Sequence, residues 1–151
     1  MSAKFGPAGN AENFPYRSSA DAPRWLRELG LDCYEYQCGK GVHVGEATAR
    51  KIGAAAAENG ITLSLHAPYF INLANPDPED LQKTIGYITG ACLVASRMGA
   101  GRVIIHSGAL MKRTRRAAQD LALHTRRDGS RACDEAGFGG LTLCPETMGK
   151  I

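Results

Sequence analysis

The sequence predicts an α/β protein built on a parallel sheet with crossover helices, and three observations carry that expectation. Short β-prone runs alternate with longer amphipathic ones from the start of the chain to its end. Helix-start and helix-stop residues bracket the long runs. The 151 residues, 44% hydrophobic and 22% charged, suffice for one compact domain, and no low-complexity stretch or linker divides them.

The elements follow in order. "AKFG" (3–6) reads as a first strand, and "DAPRWLRELG" as a helix with Asp21 as N-cap and Gly30 as the C′ stop. "CYEYQ" (33–37) is a second strand, and "GEATARKIGAAAAENG" (45–60) an Ala-rich helix that stops at Asn59-Gly60. "TLSLH" (62–66) is a third strand, and the loop "NPDPED" leads from it into the clearest helix. There Asp77-Pro78 supplies a cap and a first-turn proline, and Met98-Gly99 ends the run. Between them Leu81, Ile85, Ile88, Cys92 and Ala95 recur at steps of four and three and form one apolar face.

"RVIIH" (102–106) is a fourth strand, and a less regular helix begins near Arg113. Asp128-Gly129-Ser130 falls within that helix, and a break or frayed region is expected there because an interior Gly costs about 1 kcal/mol relative to Ala. "LTLCPE" (141–146) is a fifth strand. The series is five strands and four helices, β-α-β-α-β-α-β-α-β.

Composition excludes several classes of function. The formal charge of +3 permits an anionic partner without arguing for one. "MSAKFGPAGN" contains no apolar signal core, and no run approaches the roughly 18 apolar residues of a membrane span. Five cysteines (33, 38, 92, 133, 144) are an odd number without C-x-x-C spacing. Disulfide frameworks and zinc knuckles are therefore poorly supported, and a reducing cytoplasm is the simplest setting.

His66, His106 and Glu146 each close a strand, 40 residues apart in each case. Alternation places His66 on one face with Thr62 and Ser64, and Glu146 with Thr142 and Cys144, while the leucines between them point toward the helices. His106 shares its face with Ile104, so the polar-face argument is weaker there. Parallel α/β folds build their sites at C-terminal strand ends. Two imidazoles and a carboxylate converging there form a His₂-carboxylate set suited to zinc, with no thiolate required. Cys144 reads as a core thiol rather than a fourth ligand, and His43 and His124 as surface residues.

These residues resemble a known family. "SLHAPYFINLANPD" with "VIIHSG" and "CPETMG" is similar to the N-terminal part of endonuclease IV-type enzymes, the zinc-dependent apurinic/apyrimidinic endonucleases among xylose isomerase-like TIM barrels. "KFGPAGN" and "LDCYEYQCGKGV" resemble the branch called deoxyribonuclease IV-like TIM barrel proteins. The resemblance runs along essentially the whole chain, and "H-x-P-Y-F-I-N-L" is its most specific part.

It implies an α/β partial TIM (β/α)8 barrel, with residues 1–151 as a single domain forming the N-terminal portion and ending after the fifth strand. His66, His106 and Glu146 match three ligands of the family's zinc cluster, with Glu146 bridging two ions in a catalytic role. Tyr69 and Phe70 match side chains that probe DNA at an abasic site. Asn72 is placed to fix the same loop. Lys40 is the nearest candidate for the family's DNA-probing basic residue. "HSG" stands where "HPG" is usual, and later ligands of Asp, His and Glu type have no residues here.

Three functions follow as expectations. The first is the N-terminal part of a zinc-dependent endonuclease acting on DNA with abasic sites, a fragment with little activity alone. The second is a metal-dependent sugar isomerase or epimerase on the same barrel. The third is a non-catalytic, vestigial or DNA-binding module, in which "KRTRR" (112–116) could hold phosphates. A partial barrel leaves its last strand as an unpaired edge, so self-association through that edge is expected.

Overall fold

The computed structural model describes residues 3–147. Four parallel strands form one sheet: β1 (Cys33–Gln37), β2 (Thr62–His66), β3 (Arg102–His106) and β4 (Thr142–Glu146). Between and before them lie α1 (Ala22–Glu28), α2 (Glu46–Asn59), α3 (Pro78–Met98) and α4 (Arg115–Glu135). The strand order β1-β2-β3-β4 follows the chain without reversal. That is the order of a barrel wound in one direction, whereas a doubly wound sheet reverses at a switch point.

The strands' alternation decides what faces what. Tyr34, Leu63, Leu65, Val103 and Ile105 are buried, and with Leu26, Ile52, Ile88, Cys92 and Ala95 of the helices they form the core. Glu35, Ser64, His66, Ile104, His106 and Cys144 point to the other face and are only half-buried. The helices therefore cover one side of the sheet and leave its polar side open.

Local signals account for most element ends. Asp77 Oδ1 accepts from the N–H groups of Glu79 and Asp80 at the start of α3. Gly60 and Gly99 close α2 and α3 in left-handed conformations. Gly30 does the same after α1, with the Leu31 N–H donating to the Leu26 carbonyl at 2.9 Å. Asp21 makes no side-chain cap on α1, because a 3₁₀ turn (Ser19–Asp21), capped by Ser18, runs directly into that helix.

Two expectations change. The first segment does not form a strand at 3–6. Residues 5–9 run beside β1 instead, making one isolated bridge between Ala8 and Glu35 and donating from Gly9 N–H to the Glu35 carbonyl at 2.8 Å. Pro7 within this segment has no N–H to extend a ladder. The second change is α4, which is continuous through Asp128-Gly129-Ser130. Gly129 is buried against α3, and a Cβ built there would lie 3.4 Å from Ile88 Cδ1. The turn that carries Gly129 is packed against α3, and that tertiary contact offsets the propensity cost. Asp128 adds an ion pair to Arg131 and a 3.3 Å contact with His124 Nε2 within the helix.

Candidate metal centre

The C-terminal strand ends bring His66, His106 and Glu146 together, with one ligand atom of each within 4.8 Å of the others. His106 and Glu146 are register partners across β3 and β4, while His66 pairs with Ile104, one step lower in the same inward-facing column. The two imidazole rings meet edge to face with centroids 5.0 Å apart.

Each ring is oriented through its other nitrogen. His66 Nδ1 lies 2.7 Å from the Ala67 carbonyl, and His106 Nδ1 lies 2.6 Å from the Tyr69 carbonyl. A carbonyl only accepts, so both Nδ1 atoms carry the proton and donate. Both Nε2 atoms then face Glu146 Oε2, at 2.9 Å from His66 and 3.5 Å from His106. Three electron-pair donors are thus aimed at one point, an arrangement that calls for a cation or protons between them. Backbone carbonyls that hold Nδ1–H and present Nε2 are also the usual support of a metal-binding histidine.

The loops that carry these side chains are tied to one another. Asn72 Oδ1 accepts from Ala74 N–H at 3.0 Å and from Ala109 N–H at 3.1 Å, stapling the loop after β2 to the loop after β3. Gly108 makes this possible: its φ is +107°, and a Cβ there would lie 2.1 Å from Asn72 Oδ1. Ser107 secures the third donor residue, since its hydroxyl donates to the Glu146 carbonyl at 2.9 Å. A proline at that position would make no such bond.

Tyr69 and Phe70 are exposed beside the centre, 55% and 41% accessible, with ring centroids 5.7 Å apart. Tyr87 of α3 stacks edge to face on Phe70 at 4.9 Å and extends this aromatic surface. Sequence reasoning missed Tyr87, which lies 17 positions beyond Phe70 and outside the apolar stripe of its helix. Lys40 is exposed in the adjoining loop, where the Gly39 carbonyl accepts from Tyr69 N–H at 3.2 Å. The "KRTRR" segment is not a uniform phosphate patch. Arg113 donates to the Ala74 carbonyl and Thr114 caps α4, which leaves Lys112, Arg115 and Arg116 exposed.

Below the three donors lies an open cleft of about 290 Å³ lined by Glu35, His66, Ile104, Cys144, Pro145 and Glu146. Cys144 is therefore not a core thiol: it is half-buried and lines this cleft, because its side of β4 is the open one. Glu35 was also missed, although alternation in "CYEYQ" places it on the inner face. Its Oε2 accepts from Ser64 Oγ at 3.4 Å. His43 and His124 are exposed and lie apart from the cluster, as expected.

Fold and site together define a class: a parallel α/β layer wound in one direction, with its ligand-type side chains gathered at the C-terminal strand ends, as in TIM barrels. The chain belongs to the xylose isomerase-like TIM barrel family, which it matches over residues 23–150. It is 35% identical over 68 residues to a protein named probable endonuclease 4 of Acholeplasma laidlawii (strain PG-8A), covering 43% of this chain and 23% of that protein. It is 30% identical over 127 residues to an uncharacterized protein of Methanocaldococcus jannaschii, covering 83% of this chain and 44% of the other.

Among solved structures, the fold is similar to that of 3-keto-D-glucoside 4-epimerase from E. coli, with a TM-score of 0.71 at 14% identity over 94% of this chain and 55% of that one. It is also similar to endonuclease IV from Thermus thermophilus, with a TM-score of 0.56 at 18% identity over 82% of this chain and 45% of that one. The chain thus spans less than half the length of these curated relatives and about half that of the structures. No described helix is long and apolar enough to cross a membrane.

Proposed function

We propose that this chain forms the N-terminal part of a zinc-dependent phosphodiesterase that cleaves DNA at abasic sites. The observation that carries the reading is the convergence of His66 Nε2, His106 Nε2 and Glu146 Oε2, with both Nδ1–H groups already committed to carbonyls. The donor set fits zinc: two neutral imidazoles and a carboxylate are borderline ligands that leave a coordination position free. When bound, zinc supplies Lewis acidity, which activates water and neutralises phosphate charge.

The chain's own residues do the rest. His66 and His106 hold their nitrogens in place through Ala67 and Tyr69, and Glu146 presents a carboxylate from the end of β4. Tyr69 and Phe70, with Tyr87 behind them, offer an exposed aromatic surface on which bases beside a baseless nucleotide can stack. Asn72 acts by positioning, since its oxygen holds the two loops together. The probable endonuclease 4 of A. laidlawii supports the nuclease reading.

The test is zinc binding by calorimetry on chelator-stripped protein, followed by cleavage assays on an abasic duplex. We expect binding that His66→Ala, His106→Ala and Glu146→Gln each weaken at least tenfold, and little cleavage by residues 1–151 alone. Zinc affinity unchanged in all three variants would sink the metal assignment. Full-rate cleavage by the isolated chain would sink its description as part of a site.

A second reading is a divalent-metal sugar epimerase or isomerase. Glu35 favours it, because a carboxylate beside Ser64 in the cleft suits a ligand rich in hydroxyl donors, and so does the similarity in fold to the E. coli epimerase. Metal-dependent epimerisation of a ketose, with no cleavage of abasic DNA, would place it first.

A further inference from the structure

All five cysteines are free thiols, and two of them are in contact. Cys92 of α3 and Cys133 of α4 lie 41 positions apart in the chain, yet their sulfurs are 3.3 Å apart between the two helices. Cys92 is fully buried and Cys133 is 4% exposed. The helix that carries Cys133 has one main support. It packs mainly on α3, makes little contact with the strands, and buries only Ala118, Thr125, Gly129 and Cys133. Thr125 Oγ1 in that interface has no hydrogen-bond partner among the described residues.

We propose that Cys92 and Cys133 form a redox-modification site, at which a disulfide oxidant such as oxidised glutathione links the two sulfurs and clamps α4 to α3. The chemistry is two successive exchanges. One protein thiol loses its proton to water, and its sulfur attacks oxidised glutathione and expels one glutathione thiolate. The second protein sulfur, also deprotonated, attacks the protein sulfur of the mixed disulfide and expels the other. Two protein thiols give up two electrons and two protons, and oxidised glutathione takes them up to become two thiols.

Burial raises both thiols above their ordinary range, so little thiolate exists while the helices are packed. Reaction therefore waits for α4 to open from α3, a local event cheaper than global unfolding because so little apolar surface is exposed by it. Once closed, the link ties the edge helix to the core across a 41-residue separation and removes freedom from the unfolded chain. The inference rests on neither reading of the metal centre.

The purified chain is exposed to oxidised glutathione in urea too dilute to unfold it, and its peptides are mapped by mass spectrometry. We expect a crosslink between the peptides of Cys92 and Cys133, with Cys33, Cys38 and Cys144 outside it. The oxidised protein should melt higher than the reduced one, by on the order of 5 °C. Tryptic cleavage within α4 should slow several-fold. Dithiothreitol should reverse both effects in the unaltered chain, and Cys133→Ala should show neither. Crosslinks among other cysteines, stable glutathione adducts at Cys92 or Cys133, no crosslink at all, or a crosslinked protein that melts no higher would each overturn the proposal.

Discussion

The middle of this molecule and its last βα unit follow the same plan with different outcomes. In β2, α3 and β3, every strand side chain that points to the helices is buried: Leu63, Leu65, Val103 and Ile105. In β4, the corresponding Leu143 is half-buried and Pro145 is exposed, and α4 leaves Leu123 49% accessible. The difference is one of neighbours. β2 and β3 each pair on both sides, whereas β4 pairs only with β3 among the described residues. An element gains its stability from the surfaces that cover it more than from its own propensity. One metal-type side chain, Glu146, therefore stands on the loosest strand and two stand on the tightest.

The sharpest way to test this contrast is to truncate equivalent apolar side chains. Leu65→Ala in the middle should cost about 3 kcal/mol in urea denaturation, since its side chain is fully enclosed. Leu143→Ala at the edge should cost less than about 1 kcal/mol, because the lost transfer energy scales with area already buried. Equal losses would mean the edge is as well packed as the centre.

The joint between the two regions should respond next. Gly129→Leu places a side chain where Ile88 already sits and should lower stability by about 2 kcal/mol through overpacking, read as a fall in melting temperature. A neutral result would show that α4 can slide on α3. Asn72→Ala should cost about 1–2 kcal/mol, as two backbone N–H groups lose their acceptor. It should also weaken zinc binding, because the loop that orients His106 through the Tyr69 carbonyl is no longer stapled. Zinc affinity unchanged in that variant would detach the staple from the site.

Smallest of all should be changes on the outer face of α4. Arg131→Ala removes pairs to Asp128 and Glu135 from an exposed position and should alter stability by less than about 0.5 kcal/mol. Sedimentation over a range of concentrations checks the edge itself: self-association that Leu143→Lys suppresses is the expected outcome, and a monomer at every concentration would contradict it.

Much of the fold was legible in the residues. Asp77-Pro78 and Gly99 bound α3 because capping and left-handed termination act within one turn. Alternation in "TLSLH" and "RVIIH" sorted buried from open positions because a strand's side chains alternate whatever it packs against. The same rule placed His66, His106 and Glu146 at strand ends, and the structure brings those three together. It would have identified Glu35 too, had the inner face of β1 been followed. The first segment was misplaced because it meets β1 through a few backbone hydrogen bonds at Phe5, Pro7 and Gly9, and a run broken by Gly6, Pro7 and Gly9 carries no strand alternation.

What the sequence determined by itself was therefore the local grammar: where helices start and stop, which face of each strand is apolar, and which side chains close the strands. Only the tertiary structure decided that α4 runs unbroken through Gly129, that Asn72 joins two loops 37 residues apart, and that Cys92 meets Cys133. The physical reason is range. Caps and alternation are set by neighbours within a few residues, whereas close approach, shared hydrogen bonds and burial depend on segments whose separation in the chain says nothing of their distance in space.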